Sequence, residues 1–553
     1  MWEVNLNIKS LADILRRDDG VGTKFYLIEL SWLLFLKIFE QMEENEVDIV
    51  KNYQPVLLNT PYTWSAWTKN KELTDNSDKM LYFVKTELFP YLSNLENKNW
   101  KILKTIFSNL KDTHIRRWTT ILDIIEKLDK IQFLTNVEDS QILSKTYEEM
   151  LAWMWSEWGW SGEYYTPRSV IKFIVNILNP SIKENKNLKV LDPFAGSGGF
   201  LVEAYKYNIE NFPLSWKELK TLKQDTFIAF EKKFEAYIVW LMNLLLHWIS
   251  NPHYELWNTF LKSKESFVEQ YDIILTNPPF WGKESKDVYE ALEWADYKTS
   301  STEALGLQFV MSALKINWKA WVVLPAWQVM FGTWVFQKIR KDLLNRFNLK
   351  YIVFLPDGAF ASVGTWIKTA ILFFEKTSKT KQTTCFKLLW KYTKKQSIKF
   401  DELKPLIDFI QWKNDKLPEN VLQTIINWEE IRETENTLKT YLDLLKKDKT
   451  KVEDFEKWFV QTSIFQQKQA IDKRYYKQIF DDIKKDKENI DSLLQEIQRE
   501  LDAINYSFVC KFEDEEKEKQ IDLDELLETT DGLLKNLYDE FWKIRQLIKD
   551  EIK

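Results

Sequence analysis

Between residues 188 and 374, short β-rich runs take turns with helical patterns. The runs cover 188–191, 226–230, 271–275, 320–324, 351–355 and 369–374. Alternation of this kind leaves few options. It predicts an α/β fold, a mostly parallel sheet with helices on both faces, whose ligands sit in loops at the carboxyl ends of the strands.

The flanks read differently. Before about residue 150 the apolar positions recur at helical spacing, as in Leu11, Ile14 and Leu15 and again in Leu30, Leu33, Leu34 and Ile38, with Asp19-Gly20 and Gly22 as punctuation. A further amphipathic helix over 170–178 is opened by Thr166-Pro167 and stopped at Asn179-Pro180. After about residue 400 no further strand is expected, and Lys, Glu and Asp dominate. There Ile490, Leu494, Ile497, Leu501 and Ile504 form one apolar stripe, and Leu526, Leu533, Leu537, Ile544 and Ile548 a second. Such stripes predict long helices packed on each other or on a partner. The expected organisation is a helical unit over 1–150, an α/β unit over 151–400 and a helical docking region over 401–553.

Composition narrows the class. A chain of 553 residues exceeds one ordinary core, and 45% hydrophobic with 29% charged residues excludes a disordered chain. No apolar run reaches the ~18 residues of a membrane helix; the richest, 27–39, carries Glu29 and Lys37. The start, Met1-Trp2-Glu3-Val4, lacks the layout of a signal peptide. A cytoplasmic protein without membrane contact is expected. Cys385 and Cys510 are too few for a disulfide framework or a zinc cluster, and the three histidines have no ligand spacing, so no metal is expected.

Two motifs carry chemistry. The run 188–191 leads into Asp192-Pro193-Phe194-Ala195-Gly196-Ser197-Gly198-Gly199-Phe200 and then a helix. Small residues there let the backbone approach a ligand, and a helix start offers free N–H donors. It is neither a Walker loop nor a full dinucleotide fingerprint. Glu231, at the end of the next run, is placed to hold a ribose diol. The second motif, Asn277-Pro278-Pro279-Phe280, follows the run 271–275. An exocyclic amine is a poor nucleophile because its lone pair is delocalised into the ring. The Asn277 side-chain oxygen and the Pro278 carbonyl can accept hydrogen bonds from such an amine and favour its nucleophilic form. The prolines preorganise these acceptors, and Phe280 can stack on a base drawn out of its helix.

With Asp192–Phe200 preceding Asn277–Phe280, the chain resembles the amino-methyltransferases that use S-adenosylmethionine. It is most similar to the modification (HsdM) subunits of type I restriction-modification systems. Supporting stretches are Gly162-Glu163-Tyr164-Tyr165-Thr166-Pro167-Arg168, Asn243-Leu244-Leu245-Leu246-His247, Val322-Val323-Leu324-Pro325, Phe331-Gly332-Thr333 and the N-terminal Phe35-Leu36-Lys37. The resemblance implies a Rossmann-like S-adenosylmethionine-dependent methyltransferase sheet. Glu163, Tyr164, Tyr165, Thr166, Pro167, Arg168, Asp192, Gly196, Ser197 and Gly198 would line the cofactor, with Glu231 on its ribose and Asn258 near its adenine. Asn277, Pro278, Pro279 and Phe280 would hold the target adenine for direct methyl transfer to N6. Neither cysteine follows a proline, which excludes the Pro-Cys thiolate of cytosine-C5 chemistry. His247 is expected to be a buried structural histidine.

The implied partners are double-stranded DNA, a specificity subunit, a restriction endonuclease subunit and a second copy of this chain. A net charge of −6 suits a subunit whose sequence readout lies elsewhere. Methylation of RNA or of a protein glutamine amide, or a non-catalytic scaffold binding cofactor or DNA, are the alternatives.

One count is anomalous: 26 Trp against 13 Gly. Average usage predicts ~39 Gly for this length, a number the two residue types reach together. The resemblance places glycine where this chain has Trp248, Trp257 and Trp281, and glycine-rich turns around Trp318, Trp321, Trp327, Trp334 and Trp366. Trp32, inside an apolar helix, is a natural site. The expectation is that many of these positions are glycine in the protein, its gene using UGA for glycine.

Overall fold

The computed structural model describes residues 8–130 and 166–462 apart from short stretches within them, and scattered residues from 466 to 498. Glu163, Tyr164, Tyr165, Trp248, Phe331, Thr333, Cys510 and the second C-terminal stripe lie outside the described residues, as do Ile490, Leu501 and Ile504 of the first.

At the centre is a nine-stranded sheet in the order β3-β2-β1-β4-β5-β7-β6-β8-β9. Its strands are β1 (Val190–Asp192), β2 (Phe227–Glu231), β3 (His253–Leu256), β4 (Tyr271–Thr276), β5 (Leu314–Pro325), β6 (Asn348–Phe354), β7 (Thr369–Glu375), β8 (Gln382–Leu388) and β9 (Val421–Asn427). Strands β3, β2, β1, β4 and β5 run parallel, while β7 is antiparallel to both β5 and β6. The six predicted runs coincide with β1, β2, β4, β5, β6 and β7. In β4 every residue is buried, as befits a central strand covered on both faces.

Strand β9, antiparallel to β8, extends the sheet past residue 400, where the sequence reading expects no strand. It is an edge strand in which only Val421 is buried and the rest alternate between half-buried and exposed, and Ile425 on the exposed side blurs the apolar pattern. Strand β3 at the other edge has four mostly exposed residues and no apolar run to betray it.

Helices cover the sheet. In chain order they include α1 (Ile8–Arg16), α2 (Tyr26–Ile49), α3 (Lys101–Leu110), α4 (Trp118–Asp129), α5 (Arg168–Leu178), α6 (Gly199–Asn211), α7 (Phe234–Leu246), α8 (Thr302–Ala313), α9 (Trp334–Arg346), α10 (Phe400–Ile410), α11 (Trp428–Lys447) and α12 (Val452–Phe459). Helix α5 starts straight after Pro167 and ends on Asn179 in the left-handed conformation, as the sequence punctuation predicts. Helix α7 is apolar almost all round because it packs against β2 and also against the N-terminal helices α2 and α3. The N-terminal helical unit and one face of the sheet therefore share a single core. Among the described residues no helix is long and apolar enough to cross a membrane.

Candidate active site

The parallel strands reverse their order of growth between β1 and β4, and the crevice at their carboxyl ends is where such sheets bind ligands. Ten of the predicted residues line one cavity there: Thr166, Asp192, Gly196, Ser197, Glu231, Asn258, Asn277, Pro278, Pro279 and Phe280. Three others do not line it. Pro167 precedes helix α5, Arg168 donates from Nη1 to the Gly199 carbonyl at 2.8 Å, and Gly198 is the N-cap of α6 with φ +70°.

The loop after β1 is held from several sides. Buried Asp192 accepts through Oδ1 from Thr276 Oγ1 (2.8 Å), at the end of β4, and from the Phe194 N–H (3.2 Å). Burial pushes the Asp192 carboxyl up to about 7, against the opposing effect of these hydrogen bonds. Thr259 Oγ1 donates to the Pro193 carbonyl, and Asn243 Nδ2 to the Ser197 carbonyl at 3.2 Å. Gly196 and Gly198 both have positive φ, a conformation that glycine adopts without strain.

Glu231 ends β2 facing that loop. Its Oε2 accepts the Gly196 N–H at 2.8 Å and its Oε1 the Lys233 N–H at 2.7 Å. Asn258 caps the short helix Thr259–Leu261 through Oδ1, 3.1 Å from the Phe260 N–H, while its Nδ2 is 3.4 Å from Glu284 Oε2. Buried Glu284 also receives Lys232 Nζ at 2.7 Å.

The Asn277–Phe280 segment forms the opposite wall. Asn277 Nδ2 donates to Thr166 Oγ1 at 2.9 Å, while the buried Oδ1 has no hydrogen-bond partner among the described residues. The Pro279 carbonyl accepts from Thr302 Oγ1 at 2.9 Å, and the N–H after Phe280 is taken by buried Glu303 Oε1 at 2.6 Å. Gln328 Nε2 reaches the same oxygen at 3.1 Å. Helix α8 comes close because of Gly306, where a β-carbon would stand 3.1 Å from both Phe194 and Pro278. Phe280 is buried, its ring centroid 6.3 Å from that of Phe360.

Sequence reasoning missed Lys232, Glu284, Thr302 and Glu303. Glu284, Thr302 and Glu303 reach their partners across 22 to 52 residues of sequence. Lys232 follows Glu231 but gains a role only through Glu284, and single charged or hydroxyl residues outside a motif give no local signal. His247 is buried at the end of α7, its Nδ1 2.8 Å from the Asn243 carbonyl oxygen, in line with a structural role. Among the described residues no group of His, Cys, Asp and Glu is arranged to hold a metal ion.

Residues 138–452 match the N-6 DNA Methylase family and residues 4–128 the HsdM N-terminal domain. The chain is 36% identical over 420 residues to the type I restriction enzyme EcoEI methylase subunit of Escherichia coli, covering 74% of this chain and 83% of that protein. Among solved structures it resembles a modification subunit of a type I restriction enzyme from Vibrio vulnificus YJ016. That match has a TM-score of 0.66 and 28% identity over 76% of this chain and 92% of that one. A chain of a type I restriction-modification system solved to describe complex assembly and conformational transition matches with a TM-score of 0.61 and 29% identity, over 77% and 88% of the two chains. The chain belongs to the N-6 DNA methylase family, as the adenine-specific DNA methyltransferase (modification) subunit of a type I restriction-modification system.

Proposed function

We propose that S-adenosylmethionine is the methyl donor, bound between the loop 192–198 and Glu231, and that Asn277–Phe280 receives the target adenine. The observation that carries this reading is the buried Asn277 Oδ1, without a hydrogen-bond partner among the described residues, in a cavity shared with the glycine loop. The residues fit the donor: Gly196 leaves open space where a side chain would stand, and Glu231 and Asn258 put polar groups at the same rim. The cofactor supplies an electrophilic methyl on a sulfonium.

Everything else is work for this chain's own residues. Asn277 Oδ1 accepts one N6–H of the adenine and the Pro278 carbonyl the other, which concentrates the nitrogen lone pair toward the methyl. The prolines keep both acceptors in place before the base arrives. Phe280 packs on the base, and no covalent enzyme intermediate is needed. Glu231 holds the ribose and Asn258 faces the adenine of the cofactor. Of the other predicted residues, Asp192, Gly196, Ser197 and Gly198 shape the loop, and Glu163, Tyr164, Tyr165, Thr166, Pro167 and Arg168 close over it.

The working protein is an assembly. A specificity subunit reads the double-stranded DNA, a restriction subunit joins it, and two copies of this chain act together, in the cytoplasm. Transfer of labelled methyl from S-adenosylmethionine to DNA by the complex, with Asn277→Ala as control, tests the reading. Label on DNA that disappears in the variant is the expected result. Label in an Asn277→Ala complex, or only in RNA or protein, would overturn it.

A further inference from the structure

An asparagine amide has two chemically opposite ends of nearly equal shape. Only the oxygen can accept from an amine; the nitrogen would present donor to donor and repel it. In this cavity Asn277 Nδ2 donates to Thr166 Oγ1 at 2.9 Å, the hydroxyl serving as acceptor, and Oδ1 has no hydrogen-bond partner among the described residues. Thr166 is itself buried and immediately precedes Pro167, which holds its backbone extended and so fixes where the hydroxyl stands. We propose that Thr166 is a positioning residue for methyl transfer, selecting the Asn277 rotamer that turns its oxygen to the target amine. This rests on the role proposed for Asn277 and gives Thr166 a task distinct from holding the cofactor.

The test uses the complete modification complex. Thr166→Val keeps the shape and removes the acceptor; Thr166→Ser keeps the acceptor. Thr166→Val is expected to lower kcat by about tenfold, the worth of one well-placed hydrogen bond, a larger factor than any loss of S-adenosylmethionine affinity by calorimetry, with Thr166→Ser restoring kcat. A Thr166→Val complex of normal kcat, or one that loses cofactor affinity in proportion, overturns the proposal. If Asn277→Ala itself retains activity, the reading of Asn277 fails instead.

The tryptophans divide by environment, independently of that site. Trp32, Trp64 and Trp428 are buried and donate their indole N–H to Glu29 (2.8 Å), Asp129 (2.9 Å) and Thr383 (2.8 Å). Trp281 and Trp412 instead have φ of 60° and 58°, in the left-handed region where a bulky residue is strained, and are 55% and 85% exposed. Trp412 stands one residue past the C-cap Gln411 of α10, the place where glycine ordinarily ends a helix. Trp240 is wholly buried with no partner for its N–H among the described residues, its ring centroid only 3.3 Å from that of Tyr254, against about 4.5–7 Å for ordinary aromatic pairs. The same indole occupies the space beside Gly198, on the loop after β1.

We infer that residues 240, 281 and 412 are glycine in the protein made by its own host, encoded by UGA codons that the host reads as glycine. Positive φ at two positions and an overfilled core at the third are conditions that removing the side chain relieves. The stacked pair of Trp281 and Trp327, 5.4 Å apart beside Phe280, is then no platform for a base. Sequencing the gene is expected to give TGA at 240, 281 and 412 and TGG at 32, 64 and 428. Peptide mass spectrometry of the protein from its own host is expected to give glycine at the first three. TGG codons, or tryptophan in those native peptides, overturn the inference.

Discussion

Thr276 Oγ1 donates to Asp192 Oδ1 at 2.8 Å, tying together the carboxyl ends of β4 and β1 beneath the cavity. The two strands lead into the two walls of the cavity, so this bond helps set the spacing between the loop 192–198 and the Asn277 wall. Its acceptor is a carboxyl pushed up to about 7 by burial.

That shift has a sign. Asp192 holds its proton more tightly folded than unfolded, so its contribution to stability is complete below its ordinary value of 3.8 and is lost as pH rises to about 7. Asp192→Asn keeps the Thr276 contact and removes the titration. Denaturant unfolding of the two proteins between about pH 4 and pH 7 should therefore show the wild type losing stability relative to the variant by a few kcal/mol. Parallel curves would contradict this.

Glu231 takes two backbone N–H groups, from Gly196 and Lys233, and faces the site proposed for the ribose. Glu231→Ala should weaken S-adenosylmethionine binding by about tenfold to a hundredfold, since hydrogen bonds to a charged group are worth ~1.5–3 kcal/mol. Titration calorimetry reads this directly; unchanged affinity would move the ribose elsewhere.

Buried Glu303 accepts from the backbone after Phe280, from Ser301 Oγ at 2.8 Å and from Gln328 Nε2. Glu303→Ala strands these donors and should cost about 3 kcal/mol in stability. Methyl transfer should fall as well, because the Asn277–Phe280 segment loses its anchor. Thermal melts and single-turnover rates check the two parts separately.

In the N-terminal unit, Glu29 is buried and accepts from Trp32 Nε1, Thr113 Oγ1 (2.6 Å) and the His114 N–H (2.8 Å). Glu29→Ala should destabilise by about 3 kcal/mol for the same reason. Because α2 and α7 share one core, the loss should appear in a single cooperative melt rather than in a separate early transition.

Local patterns foretold the central strands well. In β4 the apolar run is dense, and Asn277-Pro278-Pro279-Phe280 follows it without a gap, so strand and motif announced each other. The edges were silent. His253–Leu256 is mostly exposed, and Val421–Asn427 carries an exposed isoleucine, so neither showed a clear buried face. Glu284 and Glu303 were equally silent. Each gains meaning only from a partner such as Lys232, or the backbone N–H of residue 281, brought to it by folding.

By itself the sequence determined the fold class, the two motifs and hence the kind of chemistry, because period, punctuation and residue type are local properties that survive in one dimension. Tertiary structure alone decided which end of the Asn277 amide faces the cavity, how burial perturbs Asp192, and which tryptophans are at ease. Hydrogen-bond direction, desolvation and steric fit depend on neighbours that are distant along the chain, such as Thr166 for Asn277 and Tyr254 for Trp240.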